Sequence, residues 1–142
     1  MKSLSSLTSI VICFVLIFFL NYIFYGIVAA GFFEEHSGSA TGVQKEDVSM
    51  IFIAFGTLIQ AVVLTSLYSV WSKGSYDVAQ GFRFGALMGM FAGFGMAFIM
   101  YGTSNILDLT AHLVDGIWYM LLYGICGATI AMVMKKVKSK ST

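Results

Sequence analysis

The stretch GFRFGALMGMFAGFGMA, residues 81–97, decides the fold of this chain. Small residues recur in it every four positions, at Gly81, Gly85, Gly89, Gly93 and Ala97. On a helix these residues form one shallow groove. In water so much glycine would weaken a helix by about 1 kcal/mol per residue relative to alanine, whereas in a membrane it lets a second helix approach closely. The pattern therefore predicts a tightly packed bundle of membrane helices, with a glycine zipper along this segment.

The composition separates this chain from soluble globular domains. Of its 142 residues, 58% are hydrophobic and 11% are charged, and the mean hydropathy is +0.88. A soluble domain carries about 25% charged residues, so too few charges remain here to cover a solvated surface. The chain contains no proline. Because broken membrane helices are often interrupted at proline or glycine, we expect mostly continuous helices.

Four apolar runs are long enough to cross a bilayer, which takes about 20 residues. They lie near residues 8–33, 49–71, 81–101 and 110–134. We therefore predict an all-α membrane protein, a single domain over residues 1–142 in which four transmembrane helices form a bundle. Short connections make neighbouring helices antiparallel, and only the loop at residues 34–48 is long enough to form a lid or a partner contact.

The first run also has a faint likeness to a cleaved signal peptide. Lys2 precedes an apolar core, and Val28-Ala29-Ala30 resembles a cleavage site. The apolar run continues to Phe33, however, which makes it far longer than the apolar region of a signal peptide. We therefore interpret it as a membrane span.

The charges are distributed unequally between the two ends of the predicted spans. Seven basic residues flank one side: Lys2, Lys73, Arg83, Lys135, Lys136, Lys138 and Lys140. Only Lys45 flanks the other side, together with six of the seven acids, and only Asp77 lies on the basic side. Basic residues concentrate in cytoplasmic segments, so both termini are expected in the cytoplasm, and the location is expected to be a bacterial inner membrane.

The glycine row needs a partner helix, and two interpretations are open. In the first, the row packs inside the chain, against small residues such as Gly124 and Ala128 of the fourth span. In the second, it joins two copies of the chain in a homo-oligomer. A helix that follows the row crosses it at about −40°. We favour the intramolecular contact because a bundle of four spans needs one close contact of its own.

Polar side chains inside the predicted spans form a second candidate site. Asn21 and Tyr25 are four residues apart and share a helix face, Gln60 lies in the middle of the second span, and Asp115 lies inside the fourth. An amide in hydrocarbon needs partners, so Asn21 and Gln60 are each expected to have one inside the bundle. The four residues line either a polar pocket for a small ligand or a set of interhelical hydrogen bonds worth about 0.6–2 kcal/mol each.

Acids and histidines on the predicted outer side form a third candidate site. Asp108, His112 and Asp115 are spaced i, i+4 and i+7, and His36 follows the first span on the same side. Such side chains bind transition metals or relay protons near neutral pH, which makes His36, His112 and Asp115 weak candidates for a metal site. The favoured explanation is structural, with Asp108 at a helix N-terminus and His112 at the membrane interface.

Motifs of the common enzyme classes are absent from the sequence. The segment at residues 81–95 has no preceding strand, so it is not a nucleotide-binding glycine loop. Cys13 and Cys126 lie inside predicted spans and read as small apolar residues, and no pattern indicates nucleic-acid binding. No catalytic residue and no cofactor is expected.

The leading hypothesis for the function is a non-enzymatic structural or interaction protein, either a homo-oligomer or an accessory subunit of a larger membrane complex, surrounded by lipids. The alternatives are a small carrier or channel with a polar path, and a metal-binding or enzymatic site on the outer face.

The arrangement of these motifs resembles an uncharacterised family of small bacterial inner-membrane proteins with four spans. The segment NYIFYG at residues 21–26, the glycines from Gly81 to Gly93 and the pair Tyr101-Gly102 carry the resemblance. It covers nearly the whole chain and implies fold and location, without an activity. Small multidrug exporters require a membrane glutamate in the first span, and no acid precedes Glu34 here. The charged glutathione-site pattern of small four-span membrane transferases is absent as well.

Overall fold

The structure, a computed structural model, describes residues 2–43, 45 and 47–139. Glu46 and Lys140, two of the charges in the topology prediction, lie outside the described residues. The helices in chain order are α1 (Lys2–Ile23), α2 (Ala30–Glu35), α3 (Met50–Trp71), α4 (Val78–Met90), α5 (Met96–Thr103) and α6 (Leu109–Ser139). Two π-helical segments, Phe24–Val28 and Phe91–Gly95, follow α1 and join α4 to α5.

Four helical stretches are long and apolar enough to cross a membrane, which confirms the predicted all-helical fold. They are Leu4–Val28, Met50–Trp71, Val78–Thr103 and Leu109–Val137. The first differs from the predicted 8–33, because Ala29 leaves the helical conformation at φ −110° and ψ 5° and α2 begins after it. The third begins at Val78 rather than at Gly81, because Asp77 accepts a hydrogen bond from the Gln80 backbone N–H at 2.9 Å and caps the helix.

The two π-helical segments modify the expectation of continuous helices. Each contains glycine, Gly26 in the first and Gly93 and Gly95 in the second. A π turn widens the helix without ending its hydrogen-bonded path, and such turns are frequent at functional sites. The first span therefore remains helical up to Val28, and the side chain of Tyr25 projects from a widened turn.

The central helix of the bundle is α6. The share of buried residues rises from 11% in the first span to 44% in the fourth. On one side α6 packs against α4, on another against α1, and α1 in turn packs against α3. Side chains from α1, α3, α4 and α6 form the core, among them Cys13, Ile17, Ala61, Leu64, Tyr68, Phe84, Leu122, Cys126 and Ile130. The thiol of Cys13 lies 3.7 Å from the Cys126 carbonyl oxygen, and both cysteines are free.

The glycine row of α4 lies against α6, with the two helices antiparallel. Each glycine of the row meets a short segment of α6: Gly81 meets Gly127, Gly85 meets Gly124, Gly89 meets Met120 and Gly93 meets Gly116. A Cβ atom on Gly89 would lie 2.6 Å from Met120 Cα, and one on Gly81 would lie 2.7 Å from Ala131 Cβ. No side chain fits between the two backbones at these positions, so the row faces α6 rather than lipid.

The small residues opposite the row differ in part from the predicted pair. Gly124 lies directly beside Gly85, with its Cα 3.0 Å from the position of a Cβ there. Ala128 is only half-buried, and Gly127 takes the place next to Gly81. One residue along an α-helix corresponds to a rotation of about 100°, so the register of the hairpin decides which of these two neighbours faces α4.

Candidate ligand-binding cleft

The two loops on the side opposite the chain termini are joined by backbone hydrogen bonds. Ser37 and Leu107 form an isolated antiparallel β-bridge. Gly38 N–H donates to the Ile106 carbonyl at 2.9 Å, and Ala40 N–H donates to the Asn105 carbonyl at 3.0 Å. A Cβ on Gly38 would collide with the Asn105 backbone, so glycine is required for this approach. We call residues 36–40 and 105–108 the outer clasp.

Two side chains close one end of the outer clasp. His36 Nδ1 lies 2.7 Å from Asp108 Oδ2, and the His36 carbonyl accepts a hydrogen bond from the Asp108 N–H at 3.0 Å. Asp108 Oδ1 also accepts from the Ala111 N–H at 2.9 Å, which caps α6. These partners, the Ala111 N–H first and the His36 ring second, lower the pKa of Asp108 below its ordinary value. The carboxylate thus joins the first loop to the start of the central helix.

A cleft of about 810 Å³, which we call the outer cleft, lies between the outer clasp and the helix ends. Its floor contains Tyr25 and Asp115, and α2 contributes Phe33 and Glu34. The remaining lining side chains are apolar or small and neutral, among them Leu107. Among the described residues that line it, the ionisable carboxyl groups are those of Glu34 and Asp115, and no lysine, arginine or histidine takes part.

A hydrogen bond from Tyr25 Oη to Asp115 Oδ1 forms the floor of the cleft. Tyr119, one turn further along α6, interacts with both side chains. The neighbouring Phe24 ring stacks on Trp118, with centroids 4.0 Å apart and planes inclined by 6°. These contacts attach the first π-helical segment to α6, so the tyrosine hydroxyl is held at the carboxylate.

The polar residues predicted for an intramembrane pocket do not all meet. Tyr25 and Asp115 come together in the cleft, while Asn21 accepts a hydrogen bond from Trp118 Nε1 at 2.8 Å one turn deeper. Gln60 lies on α3 and does not line the cleft. Its Oε1 is buried and has no hydrogen-bond partner within the described ranges. The expected hydrogen-bond partner of Gln60 is therefore missing for this atom.

The three weak metal candidates do not converge on one point, although His112 interacts electrostatically with Asp115. His36 pairs with Asp108 in the outer clasp, and Asp115 pairs with Tyr25. His112 is buried with its ring 6.0 Å from that of Tyr101, and its Nε2 has no partner in the part of the chain that the structure describes. No group of three or more histidine, cysteine, aspartate or glutamate side chains comes within reach of one metal ion among those residues. The structure does not assemble the predicted site.

Sequence reasoning missed two parts of the cleft. It placed Glu34 only at the end of the first span, and it assigned Phe33 no role. Gly38 and Gly42 in the long loop were a usable signal, because glycine permits close backbone contact and, at Gly42, a φ of +70°. The pairing of the two loops itself joins residues far apart in sequence and left no local pattern.

Comparisons of this chain with protein-family models, with curated proteins and with solved structures give no significant match. The geometry of the cleft is therefore the main basis for an argument about function.

Proposed function

We propose that this chain is a non-enzymatic multi-pass membrane protein that binds a small ligand in the outer cleft. The observation that carries the proposal is the cleft of about 810 Å³ with the Tyr25–Asp115 pair at its floor. Small-molecule sites are concave, occupy about 300–1,000 Å³, and combine apolar walls with a few convergent polar groups. This cleft has each of these properties.

The proposal includes an orientation and a location. The basic residues favour a topology with both termini in the cytoplasm, in which the cleft opens to the outside of a bacterial cytoplasmic membrane. The resemblance to small four-span inner-membrane proteins supports the same location. A ligand would then enter from the extracytoplasmic side, past the outer clasp.

Binding is better supported than conduction. A channel or carrier needs a path that continues inward from the cleft. Towards the chain termini, the interface between α1 and α6 is filled by Ile17, Leu122, Cys13 and Cys126, whose side chains are fully buried. The cleft therefore ends at a packed core, as a binding site does.

The test uses protein purified with its native lipids and native mass spectrometry. We expect a small molecule to remain bound to the wild-type chain. Ala40→Trp, which places an indole in the cleft, should remove it. The control is Ala79→Trp at an exposed position of α4, away from the cleft. Equal retention in the two variants, or no bound molecule in the wild type, contradicts the proposal.

A second candidate is an oligomer or an accessory subunit that would contact the outer face of α3, an apolar face that otherwise meets lipid. Ile51, Phe52 and Val70 on this helix are 80%, 76% and 78% exposed. The glycine row cannot supply the contact, because α6 occupies it. The same mass spectra report a dimer or a larger complex. Its loss in Phe52→Ala, with Phe91→Ala at a 78% exposed site outside α3 as the control, would assign the contact to α3.

A further inference from the structure

The outer cleft has a single sign of charge. Glu34 and Asp115 are acidic, and its other described lining residues are neutral. Lys45 instead lines a separate cavity of about 380 Å³ beside Phe52. His36 is engaged by Asp108, and His112, although it follows Asp108 by one turn of α6, does not line the cleft. An anion entering the cleft would meet two carboxylates, and no base belongs to the described lining. The imidazole of His112, three residues before Asp115 on α6, interacts with that carboxylate from outside the lining.

The aromatic rings of the cleft add a second attraction for positive charge. The rings of Tyr25 and Phe33 both line it, with centroids 5.4 Å apart and planes inclined by 45°. An ammonium group over an aromatic face gains about 0.5–1 kcal/mol when exposed and about 2 when desolvated. Aromatic faces beside a carboxylate suit an alkylammonium group. They offer little to a strongly hydrated metal ion, for which the described residues assemble no set of three ligands.

We propose that the cleft binds a small organic cation, an amine with an apolar body, whose ammonium group lies between Asp115 and the rings of Tyr25 and Phe33. This assignment rests on the proposed ligand-binding function and adds the chemical class of the ligand. Leu107, Ile106 and Val43 provide apolar surface for the body of the amine. Glu34, at the exposed edge, attracts the cation into the cleft.

The experiment compares three ligands of one skeleton and different charge. They are phenylbutylamine, phenylbutanol and phenylbutyrate, titrated at neutral pH against the full chain in nanodiscs of zwitterionic phospholipid. Zwitterionic lipid keeps the amine from collecting on an anionic surface. Isothermal titration calorimetry gives the Kd values. We expect the amine to bind about tenfold more tightly than the alcohol, and the carboxylate not to bind.

Two carboxyl variants locate the charge that is recognised. Asp115→Asn keeps the size of the side chain and its hydrogen bond with Tyr25, and should raise the Kd of the amine by about tenfold. Glu34→Gln should raise it by about two- to threefold, because the group is exposed. Glu35→Gln, the same change at the next exposed residue, lies outside the cleft and should leave the Kd unchanged. The Glu34 and Glu35 pair gives a result even if Asp115→Asn does not fold.

The outcomes separate this inference from the proposed function. Equal affinity for amine and alcohol, or equal effects of Glu34→Gln and Glu35→Gln, overturns the assignment of a cation. The ligand of the cleft would then be a neutral molecule. If none of the three ligands binds while native mass spectrometry shows a retained molecule, the cation assignment is wrong and the proposed function stands. If none binds and no molecule is retained, both fail.

Discussion

Tyr25 donates a hydrogen bond to Asp115 across the interface between the first span and α6, although the two residues are 90 positions apart in sequence. The bond joins a π-helical turn to the central helix and forms the floor of the outer cleft. Both groups lie within membrane-spanning helices and are half-buried, so leaving the carboxylate without this donor should cost stability. This single contact therefore connects the stability of the bundle with its candidate binding site.

Removing the hydroxyl of Tyr25 should destabilise the protein. Tyr25→Phe keeps the ring and leaves Asp115 without its donor, which should lower the free energy of unfolding by about 1–3 kcal/mol. The measurement is a thermal melt in mild detergent. Tyr22→Phe removes a hydroxyl from a side chain that is 53% exposed and should change the melting temperature little. Equal shifts of the melting temperature in the two variants would show that the Tyr25–Asp115 hydrogen bond does not stabilise the bundle.

The glycine row should not tolerate a methyl group. Gly89→Ala places a Cβ 2.6 Å from Met120 Cα, so α4 and α6 must separate and the protein should lose about 1–3 kcal/mol of stability. Gly56→Ala in α3 meets no atom within 4 Å and should be neutral or stabilise the helix by up to about 1 kcal/mol. In thermal melts Gly89→Ala should therefore lower the melting temperature and Gly56→Ala should not. Equal losses in the two variants would contradict the close contact between α4 and α6.

Larger side chains extend the same comparison. Gly89→Leu should cost several kcal/mol, as overpacking does in tight interiors, whereas Met90→Leu, at a residue that is 46% exposed, should be mild. Equal tolerance at positions 89 and 90 would contradict a helix contact through the glycine face.

The two amides should respond differently to the same substitution. Asn21→Leu leaves the Trp118 N–H without its acceptor and should cost about 0.6–2 kcal/mol. Gln60→Leu removes a buried Oε1 that has no partner among the described residues, so it should be neutral or stabilising. Thermal melts of the two variants, side by side, measure this difference. Comparable losses at both positions would show that Gln60 has a partner in the membrane.

Acidification should weaken the outer clasp through Asp108. Its pKa in the folded chain is lowered by the Ala111 N–H and by His36, so its contribution is fully present above the unfolded value of about 3.9. It is lost as the pH falls through the lower folded value. The difference in melting temperature between the wild type and Asp108→Asn should therefore shrink below about pH 4. A difference that stays constant to low pH would exclude this carboxylate as the source.

The topology can be tested with single cysteines in the two exposed segments. Ser39→Cys lies in the outer clasp and should react with an impermeant maleimide in intact cells. Ser139→Cys, at the end of α6, should react only after the cells are opened. The native Cys13 and Cys126 are buried and give a low background. Labelling of the second variant in intact cells would contradict cytoplasmic termini.

Sequence alone determined the number and character of the membrane helices, because length and hydropathy are local properties. The glycine spacing and the position of Asp108 at a helix N-terminus are local as well, since each acts on one helix or its first turn. The cap at Asp77, which moves the start of the third span to Val78, was not predicted. Only the tertiary structure decided that Gly127 and not Ala128 faces the glycine row, because the register of an antiparallel hairpin depends on its turn. It also decided that Tyr25 meets Asp115 while Gln60 stays apart. Such contacts depend on how α1, α3 and α6 pack. The sequence alone does not show which polar residues in different spans face each other, because that depends on the rotation of each helix in the bundle.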